Sequence, residues 1–211
     1  MPKVKPHRTS PSLDMTPMVD LAFLLVTFFM LTTQFRPDEA VVVDTPSSTS
    51  DIVAPDSDIL TLIVDKDKRV FIGIDKQPTK AAALQAIAAR RGLSFTPQQV
   101  KEFSLLTSFG APIEQLGSYL NKDTEERKAL NKTLPGVPID SLNNQMIDWV
   151  LEARKANIQN FQKPLYMVIK GDAGADVGTV QKVIAQLQEK NINRFNLVTS
   201  LEMAPTEGGA K

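Results

Sequence analysis

The residues best suited to chemistry sit in one stretch, Ser12-Leu-Asp-Met-Thr-Pro-Met-Val-Asp20-Leu-Ala-Phe-Leu-Leu-Val-Thr27-Phe-Phe-Met-Leu-Thr-Thr-Gln34. Asp20 is the only formal charge in the 21 residues from Met15 to Phe35. At about 1.5 Å per residue these residues make about 31 Å of helix, enough to cross a bilayer core. A carboxylate in so apolar a helix is costly when ionised, which makes Asp20 the first candidate for a functional residue. Asp20, Thr27 and Gln34 are spaced by seven and share one helix face. A single polar stripe on an apolar helix suggests that this face meets protein or water instead of lipid. Thr27 alone carries less, because threonine often bonds back to its own helix. Thr16-Pro17 reads as a helix start, with Thr16 as N-cap and Pro17 at the first helical position. That start puts Asp20 in the first turn, where the helix dipole favours a carboxylate and a plain interfacial anchor is the rival reading. Met15, Met18 and Val19 extend the apolar surface past Asp20 and argue against that rival.

The stretch is too long and too polar at its end for a signal-peptide core, and no Ala-x-Ala site follows it. It reads as an uncleaved transmembrane helix over residues 15–35. Lys3, Lys5 and Arg8 against Asp14 place the tail 1–14 in the cytoplasm and the remainder on the outer side. The 176 residues beyond Phe35 hold 21 basic and 22 acidic side chains, with no basic face for nucleic acid. There is no cysteine, hence no disulfide or thiolate metal site, and the single histidine, His7, lies in the basic tail. No Ser/His/Asp, Cys/His or metal-ligand constellation is present, so the sequence points away from an enzyme and from any cofactor.

Residues 36–58 are rich in Ser, Thr, Pro and Asp around Val41–Val43 and form a linker, either an inert tether or an extended segment that docks on a sheet edge. An α+β domain follows over 59–204, and 205–211 form a disordered tail. Ile59–Val64 and Arg69–Ile74 are strands joined by a polar turn, which makes a hairpin. Thr79–Arg91 is a helix with Ala82, Leu84, Ile87 and Ala88 inward, stopped by Gly92. Short helices are expected at Thr96–Thr107, Pro112–Asn121 and Thr124–Thr133, within a helical insertion of about 92–140. That insertion either thickens the core or binds a partner. Asp140–Ala156 is the clearest helix, capped by Asp140 or Ser141, with Leu142, Met146, Trp149 and Val150 on one face and Trp149 in the core. Leu165–Ile169, Asp176–Lys190 and Arg194–Thr199 form a closing strand-helix-strand unit. Its Lys170–Gly174 segment is a turn, lacking the spacing of a phosphate loop. The order is β-β-α…β-α-β.

Leu13-Asp-Met-Thr-Pro-Met-Val-Asp20-Leu with its apolar continuation resembles the signature of the ExbD/TolR family. Val70–Asp75 is similar to that family's second strand, and Leu165–Ser200 to its closing unit, including Lys170-Gly-Asp172 and Phe195–Val198. The resemblance covers about 12–35, 59–90 and 142–200. The insertion resembles that of longer ExbD-like proteins of Bacteroidota. Thr45-Pro46 stands where many relatives carry Leu-Pro, and Asp14 where an Asn is common.

The resemblance implies a single-pass inner-membrane subunit with a periplasmic domain. It would work as a homodimer inside an ExbB-like ring of polytopic subunits, within the lipid bilayer. Asp20 then matches the ion-carrying carboxylate and Thr27 its polar companion, while Thr16 and Pro17 serve helix start and packing. The external domain would pass motion to a TonB-like protein and so to outer-membrane transporters. A TolR-like subunit that maintains the envelope and grips peptidoglycan is the rival within the family. A membrane-anchored binding domain with an inert helix is the rival outside it.

Overall fold

The computed structural model describes residues 15–32, 57–140, 143–172 and 174–199. The chain forms two compact units, Met1–Pro37 and Asp38–Lys211. In the first, α1 (Thr16–Thr32) is a 17-residue helix without a buried residue. In the second, the described elements are β1 (Ile59–Val64), β2 (Val70–Ile74), α2 (Gln77–Arg91), α3 (Pro97–Leu105), β3 (Ser108–Phe109), α4 (Ile113–Leu120), α5 (Thr124–Asn131), β4 (Ile139–Asp140), β5 (Asn143–Asn144), α6 (Gln145–Phe161), β6 (Tyr166–Gly171), α7 (Val177–Glu189) and β7 (Phe195–Thr199). The unit is a mixed α/β domain.

Five strands form one sheet in the order β3-β2-β1-β6-β7. β1 and β2 make the expected antiparallel hairpin, with Leu60 opposite Ile74 and Leu62 opposite Ile72. On its other side β1 pairs parallel with β6, which pairs parallel with β7 across the α7 crossover. Because strand side chains alternate, Leu60, Leu62, Val64, Val70, Ile72, Ile74, Met167 and Ile169 point to one face and form its buried core. Helices α2, α6 and α7 add Leu84, Ile87, Met146, Val150, Val183 and Leu187 to that core. On the opposite face Phe71 is fully buried. The chain at Gly110 crosses so close to its ring that a Cβ there would lie 2.2 Å from Phe71.

The insertion belongs to this core. Phe103, Phe109, Ala111, Ile113, Leu116, Tyr119, Leu120 and Val137 are all buried in it. Phe103 stacks on Trp149 at 5.4 Å between ring centroids, and Phe109 meets the same indole edge-on at 4.7 Å. β3 pairs antiparallel with β2, so the insertion also supplies an edge of the sheet. Arg69 holds the far end of the insertion. Its Nη1 donates to the carbonyls of Asn131 and Lys132 at 3.0 and 2.9 Å, satisfying groups that the end of α5 leaves open. Its Nη2 donates to Asp65 and Asp67 in the hairpin turn.

Local signals explain most boundaries. α3 carries a capping box, with Thr96 Oγ1 accepting from Gln99 N–H and the Gln99 side chain accepting from Thr96 N–H. α2 ends at Gly92, whose φ of 67° suits a left-handed cap. Two expectations are corrected. Ala82 is half-buried while Ala83 faces the core. The helix expected over Asp140–Ala156 is α6, five residues later at both ends. Asp140 pairs with Asn143 in a small hairpin, which takes it out of the helix, and Asn144 caps α6 by accepting from Ile147 N–H at 3.2 Å. Leu142 and Ser141 lie outside the described residues, as do the linker before Ser57 and the tail from Ser200.

Because insertion and sheet share one aromatic cluster, Phe103→Ala should cost about 3–5 kcal/mol. Urea denaturation followed by Trp149 fluorescence should show one transition shifted to lower urea. A separate early transition would instead make the insertion an independent unit.

Candidate functional site

α1 begins one residue earlier than the sequence suggested. Val19 N–H donates to the carbonyl of Met15 at 3.0 Å, which puts Met15 at the N-cap position. Thr16 is therefore the first helical residue and Pro17 the second. Pro17 still loses nothing, since the first N–H groups of a helix have no intrahelical acceptor. The first turn contains no acidic residue, so Asp20 opens the second turn, correcting its expected place. The dipole's influence falls off within the first turn, which weakens the anchor reading.

Asp20 and Thr27 are both exposed. At about 100° per residue Thr16, Asp20 and Thr27 fall within an arc of about 40°. Thr16 thus joins the polar stripe, a member missed because it had been assigned to capping; Gln34 lies outside the described residues. Thr27 Oγ1 donates to the carbonyls of Phe23 and Leu24 at 2.9 and 3.0 Å. Its proton is held by its own helix and its lone pairs stay open to a donor. Asp20 has no hydrogen-bond or ion-pair partner among the described residues. The rest of the helix surface is exposed Met, Val, Leu and Phe, with Pro17, Ala22 and Thr32 among them. Among the described residues no helix is long and apolar enough to cross a membrane. α1 as described covers about 25 Å, and residues 33–35 of the expected span lie outside it.

Many of the domain's ionisable groups are instead tied to one another or to backbone carbonyls. Arg90 reaches Asp148 and Glu152, and Arg91 reaches Glu114 and Asp148, binding α2 to α4 and α6. Lys80 is buried, and its ammonium donates to the carbonyls of Ser104 and Leu106. Burial pushes that amine below its ordinary value, with nearby Asp75 opposing the shift. A cavity of about 530 Å³ opens between α3, α4 and α5. Its polar walls bond to each other: Gln99 to Asn121, and Arg127 to Glu102 and to the carbonyl of Lys122. No group of three or more potential metal ligands lies together among the described residues. Lys170 and Gly171 complete β6, so the expected turn starts later, at Asp172.

Three carboxylates of the domain lie below their ordinary values. The Lys76 ammonium, followed by Asn157, holds Asp58 down, and hydrogen bonds from Thr179 hold Asp176 down. Burial raises Glu114, but Gln145 and Arg91 outweigh it. A depressed folded value stabilises the fold above the unfolded value and is lost as pH falls through the folded one. The urea midpoint should therefore be insensitive to these groups near pH 7. It should fall from about pH 4 downward, and the fall should be shallower in Asp58→Asn.

The chain matches the family described as Biopolymer transport protein ExbD/TolR over residues 6–202. No curated protein and no solved structure matches it. The match runs from the tail before α1, through Asp20, the insertion and the last strand. With a family description matched over nearly its whole length, the chain belongs to the ExbD/TolR family of biopolymer transport proteins.

Proposed function

We propose that this chain is a subunit of an inner-membrane motor of the ExbB-ExbD type, driven by an ion-motive force. In this reading 1–14 lie in the cytoplasm, 15–35 span the bilayer, 36–58 link, and the α/β domain works in the periplasm. α1 stands as one of a pair inside a ring of ExbB-like polytopic subunits, and the domain conveys motion to a TonB-like protein. The subunit makes and breaks no covalent bonds and needs no cofactor. Asp20 carries the ion, Thr27 offers an acceptor beside its path, and Thr16 and Pro17 set the start of the helix.

One observation carries the reading. Asp20 stands on an uncovered, apolar helix, beyond the first turn and without a partner among the described residues. An unpaired carboxylate in such surroundings is expensive, which is why intramembrane carboxylates mark ion paths. Bound to a proton it is neutral and tolerates lipid, and released toward water or a ring residue it is charged. Each elementary charge that crosses 100 mV releases about 2.3 kcal/mol, which biases the helix pair against the ring. Family membership supports a subunit of an energising complex of this kind.

Asp20→Asn keeps the shape of the side chain and removes the titration. Uptake of a TonB-dependent substrate should fall at least tenfold in cells carrying it, with unchanged protein in the membrane by blot. Normal uptake with a leaking envelope would assign the TolR-like task. Normal behaviour in both would return Asp20 to an anchor and the chain to a tethered binding domain.

A further inference from the structure

Asp58, the residue before β1, gathers more of the domain than its position at the end of a linker would require. Its φ of 64° is left-handed, a conformation in which a non-glycine residue is held by its surroundings. Its N–H donates to Asp75 Oδ2 at 3.3 Å, and its carbonyl accepts from Tyr166 N–H at 2.7 Å. Its Oδ1 accepts from Asn157 Nδ2 at 3.1 Å and pairs with Lys76 Nζ at 2.6 Å. One residue is thus fastened to the end of β2, the start of β6 and the last turns of α6.

The partners are themselves fixed. Asn157 is fully buried, and its Nδ2 also donates to the carbonyl of Lys163 at 2.8 Å. Its Oδ1 accepts from Thr79 Oγ1 in α2 at 2.9 Å. Lys76 Nζ lies 3.9 Å from the centre of the Phe161 ring. Charge-assisted bonds in a partly dry site are stronger than neutral ones in water, so the group acts together. A strand held only by its ladder frays from its free end one bond at a time, beginning here at Ile59. With Asp58 closed, a pull on Ser57 is divided among β2, β6, α2 and α6 before that ladder is reached.

We propose that Asp58, Lys76 and Asn157 form a clasp that fixes the linker to the folded domain and carries linker displacement into it. What displaces the linker rests on the motor reading above; that the clasp holds does not.

Asp58→Gly accepts the left-handed backbone while removing the carboxylate, and Lys76→Met keeps the stem against Phe161 while removing the charge. In the full chain, exchange of the Asp75 and Tyr166 amides, which donate to the carbonyls of Ile59 and Asp58, should quicken about tenfold in both variants. Amides of β2 and the middle of α6 should keep their rates, and uptake should fall several-fold at unchanged membrane level. Unchanged exchange overturns the clasp. Faster exchange with full uptake overturns its part in transmission. Asp20→Asn run in parallel separates the two ideas: full uptake there is a failure of the motor reading, while the exchange comparison still decides whether the clasp holds.

Discussion

Trp149 is where the parts of the domain are obliged to meet. Its indole is fully buried, between Phe103 of α3 and Phe109 of β3. Aromatic side chains each bury roughly 150–250 Å², and such pairs add about 0.5–1.5 kcal/mol beyond burial. The indole N–H finds no acceptor among the described residues, although a buried unpaired donor costs about 1–3 kcal/mol. The ring is therefore kept for its bulk. Three elements far apart in sequence can close around it only when the chain from 92 to 140 lies against α6 and the sheet.

That arrangement gives the insertion its first job. It covers the β2 edge with β3 and lays Gly110 over Phe71. Arg69 then ties its far end to the hairpin turn. An open strand edge invites unwanted pairing, and covering one is a common way to prevent it. The insertion is thus a structural part of the domain, whatever else its outer surface meets.

The two units treat polar groups in opposite ways. In the domain, buried charges such as Lys80 and Glu152 are bonded to carbonyls or to opposite charges, as burial demands. On α1 the apolar surface is uncovered, and the one carboxylate has no partner of its own among the described residues. A carboxylate left unpaired on an apolar helix is the place to look for function. The clasp at Asp58 is of the first kind, which is why it reads as a joint and not as a site of chemistry.

Local chemistry in the sequence was enough to place Asp20 and Thr27 on one face of a helix, and for the hairpin, the short helices of the insertion and the closing strand-helix-strand, because periodicity and caps act over a few residues. Thr96 with Gln99, Gly92 and Asp176 each announce a helix end through bonds made within one turn. The same signals misled at Asp140, where a pairing with Asn143 outcompeted a cap, and at Thr16, which lies inside the helix it was thought to open. β3 is two residues long, too short for any periodicity. Residue types along the chain settle which positions are apolar, which turn the chain, and that Asp20 stands alone in an apolar run. Packing in three dimensions settles that the insertion enters the core, that β1 lies between β2 and β6, and that Asp58 meets Asn157. Those contacts join residues from about forty to about a hundred positions apart, β2 excepted, and no local pattern encodes a partner whose position is set by how all the apolar faces are buried at once.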